Sequence, residues 1–169
     1  MEMTGSWELK GKPLSQQFIS YAHAYLGASR DQCARMREKQ IAFVWENAVV
    51  LMLLATHSAE LFLKGAILAI NPDQRLPGHD LGELTALFNA LAGKKAPKFD
   101  NPFKSELPEL GQATLQELRE SETPQSILYR YPADRYGIEW PGCYALDLLG
   151  FSQILGHLEK SYAAIEARI

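Results

Sequence analysis

Residues 55–68 read ATHSAELFLKGAIL. From about Ile41 to Ile70 nothing breaks a helix except Gly65. Most positions in that run are apolar on every side, which marks a central helix surrounded by others. His57, Glu60 and Lys64 interrupt it. At 100° per residue, Glu46, His57, Glu60 and Lys64 fall within one arc of about 60°. Val50 and Leu53 share the arc, so the polar strip must meet something other than plain solvent along part of its length.

Glu60 and Lys64 are four apart with the acid N-terminal, the better order for an intrahelical pair. On an oily helix they cannot stay buried and unpaired. His79 and Asp80 are their natural partners, because the turn after Asn71-Pro72 brings the next helix back alongside. His57 joins the same face one turn earlier. Two readings follow. The cluster is a polar joint between neighbouring helices, or it is a pocket, since a histidine, an acid and a lysine can handle a phosphate or a proton.

Working outward, Pro13 suits a helix first turn. Leu14, Phe18, Tyr21 and Tyr25 then form one apolar stripe at helical spacing. RDQCARMREK at 30–39 is the most basic local stretch, read either as a solvated helix end or as an anion-contacting edge. Downstream, Asp80 is an N-cap with Glu83 three residues on. Leu81, Leu84, Leu87, Phe88 and Leu91 supply a buried face, and Gly93 closes the helix. A short helix is expected from about Glu106 to Glu120. Residues 121–142 lack helical period and read as two short extended pieces or a small hairpin. In the last helix, Tyr144, Leu148, Phe151, Leu155, Leu158, Tyr162 and Ile165 step by fours and threes, a seam fit to pack along another helix.

The expected fold is therefore all-α: an up-and-down four- or five-helix bundle with a short extended crossover or hairpin before the last helix. Residues 1–12 are expected as a flexible lead-in and 13–169 as a single bundle domain.

The chain has 169 residues, 47% of them hydrophobic, enough for one domain with a real core. Its net charge of −3 works against sequence-independent phosphate binding, so any such binding needs a local patch. Cys33 and Cys143 lie outside any Cys-x-x-Cys pair and read as free thiols in a reducing cytoplasm. The longest unbroken oily run, Ala48 to Ala55, falls short of the about 20 residues of a membrane span, and the N-terminus lacks an apolar signal core. A cytoplasmic protein without membrane contact is expected.

A second polar candidate is YRYPADRY at 129–136. Arginine forks suit phosphate and aromatic faces suit bases, so Arg130 and Arg135 could contact a nucleotide; the plainer reading is a rigid surface crossover. If Arg130 turns inward toward Glu60, the two candidates merge. His57, His79 and Glu60 lack short metal-ligand spacing, and no glycine-rich phosphate loop or nucleophile elbow occurs, so neither metal nor cofactor is expected. Ser58 beside His57 is no catalytic pair, because adjacent helix residues diverge by about 100°.

Ala59-Glu60-Leu61-Phe62-Leu63-Lys64-Gly65, followed by Gly78-His79-Asp80-Leu81 with Leu84 beyond, resembles the HEPN domain superfamily, whose members show an A-E-x-x-L-K segment and then a G-H-D-L helix start. Tyr129-Arg130-Tyr131-Pro132 is similar to the R-Y-P segment of some bacterial members. The resemblance spans roughly residues 44–165. It implies a four- or five-helix bundle that dimerises, in a defence or toxin–antitoxin type system, with a nucleotide, RNA or a nucleotidyltransferase-type protein as partner. Active members carry an arginine, four to six residues, then a histidine. Here Arg75 precedes His79 with only three between, so the family's ribonuclease activity is not carried over. The expectation is a non-catalytic homodimeric binding module with no catalytic residue, using His57, Glu60, Lys64, His79, Asp80, Arg130 and Arg135. The alternative is a metal-independent ribonuclease built around His57, His79 and Arg130.

Overall fold

A computed structural model describes residues 4–94, 96–103, 129–133, 136–139 and 145–169. Among them run four α-helices: α1 (Leu14–Arg37), α2 (Trp45–Ile70), α3 (Leu81–Leu91) and α4 (Leu148–Glu166). The all-α bundle is thus as expected. The helix expected over 106–120 lies outside the described residues, as do 121–128, 134–135 and 140–142 of the crossover. Its described part holds one antiparallel bridge, Ala133 to Glu139, around Gly137 at φ 80°. Within the lead-in, Ser6–Glu8 form a 3-10 turn, and Thr4 Oγ1 donates to Glu8 Oε1 at 2.8 Å.

The α1–α2 pair is the frame. The two run antiparallel and close together, and small side chains allow it. Ser29 Oγ donates to the Leu51 carbonyl at 3.1 Å, and Ser58 Oγ to the Ala22 carbonyl at 2.8 Å. Near the far end Gly65 faces Ser15 and Ile19: a Cβ there would sit 2.8 Å from the Ser15 oxygen and 2.7 Å from Ile19 Cγ1. A Gly65→Ala variant should gain about 1 kcal/mol of helix propensity, yet it forces the helices apart. We expect a net loss of about 1–3 kcal/mol, the usual cost of overpacking. Urea unfolding would show this as a lowered midpoint; an unchanged midpoint would mean the two helices separate freely.

This close approach corrects the reading of α1. Its buried residues are Ala22, Leu26, Ser29, Cys33 and Met36. Of the stripe expected at Leu14, Phe18, Tyr21 and Tyr25, Phe18 and Tyr25 are partly buried against the core, whereas Leu14 and Tyr21 are exposed. The basic stretch is a helix end, covering the last turns of α1 and its C-cap. The helix ends in a Schellman arrangement: Lys39 N–H donates to Met36 O at 3.2 Å and Gln40 N–H to Arg35 O at 2.9 Å, with Lys39 at φ 59° in the place usually held by glycine.

α3 starts where expected. The Asp80 carboxylate accepts from the Glu83 N–H at 2.8 Å, and Leu81, Leu84 and Phe88 are buried. Gly93 follows the helix at φ 76°. Asp147 caps α4 by accepting from the Leu149 N–H at 3.0 Å. Of the α4 stripe, Phe151, Leu155, Leu158, Tyr162 and Ile165 are buried in the chain's own core. Leu148 of the stripe is partly buried, and Tyr144 lies outside the described residues.

α2 is long and apolar enough, by length and composition, to cross a membrane, although its longest unbroken apolar run is short. In this structure 67% of that apolar window is buried against protein, the burial of a core helix.

Candidate functional site

The α2 polar residues converge as their spacing implies. Glu60 is almost fully buried, its side chain 5% exposed. Lys64 Nζ donates to Glu60 Oε1 at 2.8 Å, and its side chain is 12% exposed. His79, on the turn before α3, brings Nδ1 to the same oxygen at 2.8 Å. His57 Nδ1 stands 3.5 Å from Glu60 Oε2. That nitrogen is buried and faces the carboxylate without an aligned hydrogen bond. The His57 ring is held edge-on against Tyr25 with centroids 4.7 Å apart.

Burial pushes the Glu60 carboxyl upward, but His57, Lys64 and His79 outweigh it and hold the group down at about 2. Glu60 is therefore an anion at neutral pH and a poor general base. Because the folded value lies below the ordinary 4.5, the stabilisation is fully present above about pH 4.5 and disappears as pH falls toward 2. Unfolding midpoints followed across that window should fall, and fall less in a Glu60→Gln variant. Equal slopes in the two proteins would show that Glu60 gains nothing from its neighbours.

The other expected site residues do not join. Asp80 spends its carboxylate on the α3 cap. Arg130 is exposed and, among the described residues, makes no ion pair with Glu60, so the two candidates do not merge. Arg135 lies outside the described residues. Ser58 turns away from His57 into the core, where it meets the Ala22 carbonyl and the Tyr162 hydroxyl. His57, Glu60, Lys64 and His79 thus form a closed joint between α2 and the turn before α3, open to water mainly at His79, whose side chain is 61% exposed.

A second polar feature was not foreseen. Three bridges cross from α1 to antiparallel α4: His23 Nε2 to Glu166 Oε1 at 2.6 Å, Arg30 Nη1 to Glu159 Oε1, and Arg37 Nη1 to Ser152 Oγ at 3.1 Å. Each step of seven residues along α1 is matched by seven back along α4. Seven residues make nearly two turns, so the bridges line one edge of the seam. Beside the second and third bridges lies a groove of about 470 Å³. The usable signal was the heptad spacing of His23, Arg30 and Arg37 on α1, but their partners depend on a helix register that one sequence does not contain. Comparison of the chain with protein-family models, with curated proteins and with solved structures finds no match.

Proposed function

We propose that the protein is a HEPN-like, non-catalytic binding module of a bacterial defence or toxin–antitoxin type system, cytoplasmic and homodimeric, whose partner is a nucleotide, RNA or a nucleotidyltransferase-type protein. One observation carries the reading. The two segments behind the HEPN resemblance meet in a single contact, because Glu60 and Lys64 of A-E-x-x-L-K join His79 of G-H-D-L on one carboxylate oxygen. The same contact argues against acid–base chemistry there, since the acid is anionic and its near donors are engaged with it. The ribonuclease alternative loses support because, among the described residues, Arg130 forms no ion pair with Glu60.

The test is metal-free incubation of the purified protein with single-stranded RNA, beside a His79→Ala variant. Intact RNA in both, with retained RNA or nucleotide binding by the parent, is the expected result. Cleavage by the parent that disappears in the variant would replace this reading with the ribonuclease.

A further inference from the structure

The three α1–α4 bridges share a pattern with one member missing. α1 contributes the cationic or potentially cationic partner each time: His23, Arg30, Arg37. α4 answers with a carboxylate at Glu166 and at Glu159, but with a hydroxyl at Ser152. Among the described residues Arg37 has no carboxylate partner. The groove of about 470 Å³ opens at this third bridge, lined by Arg37, Ser152 and Arg30. Gly27 and Gly156 also line it, and a Cβ on either would meet nothing within 4 Å, so no side chain fills the space.

We propose that this groove binds a terminal phosphate, which supplies the negative charge the third bridge lacks. The guanidinium of Arg37 keeps donors beyond the one given to Ser152, and a hydroxyl can donate as well as accept. A planar fork plus a hydroxyl offers at least three donors, which suits the three terminal oxygens of a phosphate better than the two of a carboxylate. Arg30 lies two helical turns away on the same wall, about 10 Å along α1, where it can meet the body of a phosphorylated molecule. Asp31, also lining the groove, opposes an anion, so the phosphate must lie toward the Arg37–Ser152 side. This inference deepens the binding-module reading and rests on it for biological purpose, while its geometry stands apart from the Glu60 joint.

The experiment is titration of the full chain with inorganic phosphate, then phenyl phosphate, and with acetate as control, at constant ionic strength. Heat of binding and thermal midpoint are both recorded. Phosphate and phenyl phosphate should bind and raise the midpoint, and acetate should not. Arg37→Gln should weaken phosphate binding about tenfold or more, the usual weight of a charged hydrogen bond. Ser152→Glu is the decisive variant, since it places a carboxylate on the third bridge. It should raise the midpoint without ligand and abolish the response to phosphate, a result that misfolding cannot imitate. No response of the parent to phosphate, an equal response to acetate, or unchanged phosphate binding in Arg37→Gln would each overturn the inference. RNA binding retained in any of these cases would leave the binding-module reading standing, whereas RNA cleavage would remove that reading without touching the groove.

Discussion

Replacing Glu60 with alanine is expected to cost about 3–5 kcal/mol, because removing one partner of a buried ion pair strands the other. Lys64 would keep its ammonium at a largely buried position with no anion, and His79 would lose the oxygen that ties the α2–α3 turn to the frame. The loss should appear as an early urea midpoint, together with fast amide exchange in the 71–80 turn. Glu60→Gln should do less harm, since an amide oxygen still accepts from Lys64. Replacing Glu60 and Lys64 together with leucine and methionine should recover most of the loss, because an apolar pair of similar size needs no solvation. A cost below about 1 kcal/mol for Glu60→Ala, the range of surface pairs, would contradict the buried joint and remove the observation on which the functional reading stands.

Tyr162→Ala should be comparably severe, about 3–5 kcal/mol, as for other large aromatic truncations in a filled core. The Tyr162 ring is fully buried and stacks on Phe62 with centroids 3.8 Å apart and planes within 3°. His23 meets it edge-on at 5.9 Å, and Phe99 closes another side at 6.5 Å. One side chain on α4 thus touches α1, α2 and the segment after α3. Its hydroxyl is 3.0 Å from Ser58, whose own proton goes to the Ala22 carbonyl, so Tyr162 is the donor. Burial pushes the phenol up from its ordinary value, which keeps that proton in place. Tyr162→Phe should therefore cost only about 1 kcal/mol, one neutral hydrogen bond. Thermal denaturation of the pair separates ring from hydroxyl; near-equal losses would mean that the hydrogen bond, not the stack, holds α4.

Local rules were legible where local physics decides. Asp80 and Gly93 bound α3 because caps act on their own helix. The α4 seam was readable because its buried positions are all large. α1 was less so, because Ala22, Ser29 and Cys33 interleave with Leu26 and Met36 on its seam, and larger rings sit beside it. Close packing selects small residues, which leave no hydropathy signal, while Leu14 and Tyr21 stay exposed. The Glu60–Lys64 pair followed from its spacing and His79 from the turn. Arg130 did not follow, since no spacing rule brings a crossover arginine inward. The α1–α4 bridges needed a register between helices far apart in the chain, which periodicity on either helix leaves open.

The ring at the centre of the bundle is also synthesised after α1, α2 and the segment following α3, the parts it packs against. When the α2 segment around Phe62 leaves the ribosome, the side chain that stacks on it is still a hundred positions downstream. At ordinary translation rates that interval lasts roughly 5–20 seconds. During it the nascent chain presents an open aromatic socket, a surface for a chaperone to hold, and a chain cut short before α4 would keep that socket open for good.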